Sequence, residues 1–350
     1  MPLSAEVGGE LIVAPQMPSQ EWKDLVRRIR AGTVEVRLSG CGSPGHARIR
    51  NGLQHFAHNP GSGQVCTVHG SETDAHLHAK WIICEAARQA GWSADVEHAG
   101  PGWIADVLAW QDRSDIKVAC EVQWSRQTFD DYRTRQRGYR DAGVRAAWFA
   151  RHTAHLQMND SEVPIFELTR DDSREFGVRL CGQALTLPEF VTRLLTGQVQ
   201  HHDQLISDHA QISVGVYDYP CYKCGCLCLL WNVEGVDLAG RCGQPYPYDF
   251  LIGSMWTRDR PEASRDIRNA VTQVARERDL PTAVLSIRYS HTVRHRYMAF
   301  SCPHCHALFA DHHLAQDLPY RDPDDVIAVE GHVQVPYPHW CLNAGRGFCT

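Results

Sequence analysis

Between residues 71 and 151 the spacing of apolar residues switches from a helical period to alternation and back. That order of elements restricts the fold more than any other feature of the chain. HLHAKWIICEAARQA (76–90) has the period of a helix. Ser71 followed by Asp74 forms a capping-box-like start, and Gly91 is a natural stop. SADVEH (93–98), WIADVLAW (103–110) and IKVACEVQ (116–123) read as three strands separated by Gly, Pro, Asp and Ser turns. A helix over about 128–142 and a strand at VRAAWFA (144–150) follow. The pattern predicts an α/β core in the order helix, three strands, helix, strand.

Two acidic residues interrupt this pattern. Asp106 lies inside WIADVLAW and Glu121 inside KVACEVQ, where an unpaired charge is costly to bury. Gln123 shares the face of Glu121 because strand side chains alternate. Carboxylates converging from neighbouring strands make a hard-oxygen site suited to Mg²⁺ or Mn²⁺. The plainer reading is a pair of solvent-facing carboxylates at a sheet edge. On the preceding helix, Glu72, His76 and Lys80 fall at i, i+4 and i+8 and share one face. Alone, such a face is ordinarily just solvated.

The composition narrows the partners. A net charge of −6 leaves no global basic surface, so contact with nucleic acid must come from local patches. Residues 126–151 are such a patch, with seven arginines against three aspartates and Tyr132 and Tyr139 interleaved. Arg133, Arg137 and Arg140 are the candidate phosphate contacts. The alternative is a solvated helix face laced with Asp–Arg pairs. The N-terminus lacks the pattern of a signal peptide, and no apolar run is long enough to span a membrane. A cytoplasmic protein without membrane contact is therefore the expectation. In a reducing compartment the fourteen cysteines favour metal ligation over disulfides.

Cys221-x-x-Cys224 and Cys302-x-x-Cys305 form matched knuckles, the pattern of a zinc ribbon with a long insertion that includes a helix near SRDIRNAVTQVARER. Cys226, Cys228 and His306 are alternative ligands, and Cys242 fits a core thiol. A second cluster, Cys41, His46, Cys66 and His69, offers a Cys2His2 zinc site ahead of the first helix of the core, with His55 and His58 either packed or facing nucleic acid. Cys84 and Cys120 read as core thiols. The expected organisation is an N-terminal segment (1–40), a Cys/His module (41–70), the core (71–155), a helical extension including LPEFVTRLL (156–210), a zinc-ribbon-like domain (211–310) and a tail (311–350).

HFAH (55–58), SETDAHLHAK (71–80), IADVL (104–108), CEVQWS (120–125) and GVRAAWF (143–149) resemble the nuclease core of the CoiA-like competence-protein family, over about residues 41–151. The resemblance implies a PD-(D/E)XK, restriction-endonuclease-like αβββαβ fold flanked by small Cys/His zinc-binding modules. It implies Asp106 and Glu121 as ligands of Mg²⁺ or Mn²⁺, Glu72 completing or orienting that shell, and His76 and Lys80 facing the site. Gln123 stands where the superfamily usually has lysine. A glutamine cannot act as a base and can only position a water. Deprotonation would then rest on the metal, Lys80 or His76. The implied function is metal-dependent hydrolysis of DNA, in recombination of incoming DNA or defence against foreign DNA, with a protein partner from either process. The competing readings are a catalytically weak DNA-binding module that recruits a recombination partner, and a zinc-ribbon scaffold.

Overall fold

The computed structural model describes residues 2–60, 66, 72–173, 175–246, 264–290 and 294–349. The chain divides into two compact units, residues 1–203 with 337–343, and residues 204–336 with 344–350. The fold is mixed α/β and rich in sheet.

The first unit opens with β1 (Ser4–Val7), β2 (Glu10–Val13), α1 (Ser19–Arg30) and β3 (Val36–Leu38), the strands ordered β2-β1-β3. Trp22 of α1 packs with Val7, Leu38 and Phe56 in a small core of its own. A hairpin of β4 (Gly45–Arg50) and β5 (Leu53–His58) follows. Then come α2 (Asp74–Gln89), β6 (Ser93–Gly100), β7 (Trp103–Trp110), β8 (Lys117–Gln123), α3 (Phe129–Asp141) and β9 (Arg145–Ala150), in the order the pattern predicts. The cap of α2 is Thr73, whose hydroxyl accepts from the His76 amide. The expected cap, Ser71, lies outside the described residues. Thr128 and Asp131 form a reciprocal capping box on α3.

β6, β7 and β8 are antiparallel neighbours, and β9 joins β8 in parallel through the α3 crossover. In residues 156–210, expected as a helical extension, LPEFVTRLL forms a helix but 165–186 lengthen this sheet. β10 (Ile165–Arg170), β11 (Phe176–Leu180) and β12 (Gln183–Thr186) complete the order β12-β11-β10-β9-β8-β7-β6, and α4 (Leu187–Leu195) packs on α2. The β11–β12 turn is Cys181–Gly182, both with positive φ. A two-residue hairpin turn needs that conformation, but Cys-Gly does not announce it as Asn-Gly would. The α3 face of the sheet is covered by Tyr132, Tyr139 and Trp148, while Phe149 meets Phe190 of α4.

In the second unit β13 (Val199–Pro220, from Gln204 on) pairs with β14 (Leu227–Asp237), the helix Arg265–Glu277 follows, and β15 (Val284–Ser290) and β16 (His295–Ser301) form a hairpin. The tail shows no pattern in the sequence, yet it contains the helix Asp311–Asp317 and the long strand β17 (Asp325–Leu342). β17 is an edge strand in the order β14-β13-β17, where Pro336 and Pro338 are tolerated. Among the described residues no helix is long and apolar enough to cross a membrane.

Candidate active site and metal centres

Asp106 sits in mid-β7, and its Oδ2 accepts the Val122 amide of β8 at 2.9 Å. A side chain thus takes a position that a backbone carbonyl would hold in an unbroken ladder, which marks a split between the strands. From α2, Lys80 reaches Asp106 at 2.9 Å and His76 Nε2 reaches it at 3.4 Å. Lys80 also donates to Glu72 at 2.5 Å, and its ammonium lies 3.6 Å from Glu97 of β6. His76 and Lys80 of α2 are therefore turned inward, together with Glu72, which lies not on the helix as expected but just ahead of its cap Thr73. Lys80 is only 3% exposed, a burial sustained by three carboxylates.

The titration behaviour follows from this packing. Burial acts to raise Asp106, but the Lys80 ammonium and His76 outweigh it and hold the carboxyl well below the usual range. Burial likewise opposes ionisation of Glu72, and Lys80 more than offsets it. Lys80 itself, despite burial, is raised well above the ordinary lysine value by Asp106, Glu72 and Glu97. Glu97 is raised because burial outweighs the Lys80 attraction. Three carboxylates surround one ammonium, so full ionisation leaves two uncompensated negative charges. Glu72, His76 and Asp106 each place a ligand atom within 4.8 Å of the others. These oxygen and imidazole donors, in a pocket with two excess negative charges, fit a divalent cation.

Glu121 lies on β8 beside this group, with its carboxylate turned to α3. Arg135 holds one oxygen and the Tyr139 hydroxyl donates to the other. Arg135 also lies over the Trp148 ring, 4.6 Å from its centroid. Burial, then the charge of Asp106, push Glu121 up to about 7 against the pull of Arg135. Glu121 thus senses Asp106 electrostatically, while the structure groups it with Arg135 and Tyr139 and not with Glu72 and His76. The amide nitrogen of Gln123 is committed to Ser125, at 2.9 Å to its carbonyl and 3.0 Å to its hydroxyl. Only the carbonyl oxygen of Gln123 is left to meet a water.

Of the arginines on α3, Arg133, Arg137 and Arg140 are exposed on the outer face. Arg133 lies 3.7 Å from Asp160 and over Phe129, and Arg140 lies 3.9 Å from Glu162. Among the described residues Arg137 reaches the Arg133 carbonyl and Thr134 at the limit of hydrogen bonding. Arg135, on the inner face, is the α3 arginine directed at a core carboxylate. The sequence reading passed over it and over Glu97. An arginine among seven gave no signal, and Glu97 lies in a polar strand edge between Val96 and His98.

The matched knuckles meet in the second unit. Cys221 and Cys224 occupy the β13–β14 turn, and Cys302 and Cys305 follow β16. Cys221 Sγ is 3.6 Å from Cys305 Sγ, and Cys224 Sγ is 3.7 Å from Cys302 Sγ. Four sulfurs about 2.3 Å from a tetrahedral zinc stand about 3.8 Å apart. Burial opposes ionisation of Cys302, but the Cys305 and His304 amides bring it down to about 6. Cys228 points to the Tyr219 carbonyl, and His306 takes the positive-φ position of the second knuckle. In the first unit Cys41, His58 and Cys66 come together, with Cys41 Sγ 3.6 Å from His58 Nε2. His46 turns to Asn59 instead, and His69 lies outside the described residues. His55 is buried, with Nδ1 on the Leu53 carbonyl. Both clusters can hold a structural metal.

Residues 72–171 match the family model described as competence protein CoiA, nuclease-like domain. No curated protein and no solved structure matches the chain. The matched span opens at Glu72 and includes His76, Lys80, Asp106, Glu121 and Arg135. Over residues 72–171, the chain is similar to the nuclease-like domain of the CoiA competence-protein family.

Proposed function

We propose that α2 to β9 form the αβββαβ core of a PD-(D/E)XK nuclease that hydrolyses DNA with Mg²⁺ or Mn²⁺. The observation that carries this reading is the excess of negative charge around Asp106. Three carboxylates share one ammonium, and Glu97 and Glu121 are both harder to ionise than an ordinary glutamate. A divalent cation relieves that repulsion. The proposed ligands are Asp106, Glu72 and His76, while Glu121, held by Arg135 and Tyr139 on the α3 side, adds negative charge beside them. When bound, the ion supplies Lewis-acid polarisation of a phosphate and lowers the pKa of a water.

The roles of the side chains follow. With its raised pKa, Lys80 stays protonated at neutral pH. It is therefore a source of positive charge and not the base, in place of the lysine that Gln123 replaces. An ammonium beside Asp106 orients that carboxylate and stabilises negative charge developing on a phosphate. His76 Nε2 lies 3.4 Å from Asp106, which keeps the imidazole within the cluster as a ligand. The Gln123 carbonyl can accept from the attacking water. Arg133, Arg137 and Arg140 present outward cations for non-specific phosphate contact. The four-cysteine site and the Cys41–His58–Cys66 site are proposed as structural zinc sites. The biological setting we favour is processing of incoming DNA in competence, in the cytoplasm, with defence against foreign DNA as the other setting such chemistry serves.

The test is cleavage of plasmid and single-stranded DNA with Mg²⁺, Mn²⁺ or neither, by wild type, Asp106→Asn and Glu121→Gln. Cutting should require the ion and fall at least about a hundredfold in either variant, with zinc content unchanged. Metal-independent cutting, or variants as active as wild type, would refute the proposal. DNA binding that survives both substitutions without any cutting would support the recruiting module instead.

A further inference from the structure

Glu97 is anomalous for a strand residue. It has a φ of +55°, which a side chain with a Cβ rarely adopts. The register on either side pairs Val96 with Val107 and His98 with Ala105, which sets Glu97 across from Asp106. The side chain is 7% exposed. Its carboxylate accepts three hydrogen bonds from the N-terminal strand, from the Leu3 amide at 2.9 Å, the Ser4 amide at 3.1 Å and the Ser4 hydroxyl at 2.8 Å. That strand is fixed independently of Glu97. β1 pairs with β2 and β3, the Leu3 carbonyl accepts the Ala14 amide, and the Ser4 carbonyl accepts the Ser39 amide. The three donors therefore form a rigid cradle, and Glu97 is the link from it to Lys80. Backbone strain that the surroundings over-determine in this way is characteristic of functional positions.

We infer that Glu97 is a positioning residue of the Asp106 centre, and that β1 is built into that centre by holding the Glu97 carboxylate against the Lys80 ammonium. The inference rests on the nuclease reading for the chemistry the centre performs. Glu72, Asp106 and Glu97 approach Lys80 from the segment just ahead of α2, from β7 and from β6. The ammonium is close to Glu72 at 2.5 Å and to Asp106 at 2.9 Å, and the Glu97 carboxylate 3.6 Å away offsets part of its charge, which strengthens the pull of the other two carboxylates on a divalent cation. Glu97 also contributes one of the two excess negative charges. Neutralising Glu97 removes both effects. The Lys80 charge then acts undiminished on Asp106 and Glu72, and the excess charge is halved.

The experiment is titration of the full chain with Mn²⁺, without nucleic acid, the site being defined as the one lost in Asp106→Asn. Glu97→Gln should bind Mn²⁺ about tenfold more weakly at low salt, because one buried negative charge is gone. Ser4→Ala, a milder change that leaves both amide donors, should weaken binding about threefold, as expected for loss of one hydrogen bond to a charged group through an intermediary. The double variant should be no weaker than Glu97→Gln alone, since Ser4 acts through Glu97. In turnover, Glu97→Gln should lower kcat while leaving KM for DNA unchanged. Wild-type Mn²⁺ affinity in Glu97→Gln, or in a Ser4→Ala variant with unchanged folding, overturns the inference, as do additive effects. Absence of an Asp106-dependent Mn²⁺ site overturns it together with the nuclease reading. A chain that binds Mn²⁺ with the predicted order of affinities and cuts no DNA removes the nuclease reading and leaves the inference standing.

Discussion

At the scale of single residues, the two strand carboxylates are compensated in different ways. Asp106 is ionised at the cost of holding Lys80 in the protein, whereas Glu121 has only the half-exposed Arg135 and a phenol. The rise of Glu121 from 4.5 to about 7 corresponds to on the order of 3 kcal/mol between its protonation states. The folded chain therefore binds the proton more tightly than the unfolded chain. Stability from this group is full below the unfolded value and declines as pH rises from about 4.5 to about 7. Glu121→Gln should remove that decline. Without added magnesium, its melting temperature relative to wild type should climb between pH 5 and 7 and level off above. Parallel curves would show that Glu121 ionises normally. Asp106 and Glu121 were legible because an acid inside an apolar strand needs a partner. Their partners were not, since Glu97, Arg135 and Tyr139 are chosen by strand register and helix facing, which the spacing does not encode. His58 in place of His46 has the same origin, for both lie on one hairpin and only the register decides which meets Cys41.

At the scale of elements, α2 carries most of the site's chemistry on its first turns, and its start depends on Thr73. Thr73→Ala should cost about 1 kcal/mol through loss of the N-cap bond. Because Glu72 adjoins the cap and His76 is its donor, cutting should fall further than that loss alone predicts, with little change in DNA affinity. Chemical denaturation beside a cleavage assay checks both parts, and an undiminished rate would place the start of α2 outside the mechanism. The helix–strand order of the core was readable because its periods are long and its glycine stops clear. The sheet extension was not, because β10 to β12 are short and turn on Cys181–Gly182. β17 was hidden by prolines that only an edge strand admits.

At the scale of the whole molecule, the Cys41–His58–Cys66 cluster lies in the first unit and the four-cysteine cluster in the second. The knuckles were readable from spacing alone, since Cys-x-x-Cys pairs require no knowledge of the fold between them. Cys221→Ser should remove about one zinc per chain and lower the stability of the second unit by about a few kcal/mol, as expected for a structural site. Metal analysis and calorimetry report this, and an unchanged zinc content would assign the ion elsewhere. The overall charge of −6 gave no hint of nucleic acid, and the arginines of α3 remain the local exception. The claim on which the account turns is that a divalent cation occupies the excess negative charge around Asp106. Anomalous scattering from a crystal soaked in Mn²⁺ locates that ion directly. The account predicts a peak bounded by Glu72, His76 and Asp106 that vanishes in Asp106→Asn. Manganese confined to the cysteines or the surface, with the Asp106 carboxylate still on Lys80 and His76, would contradict it.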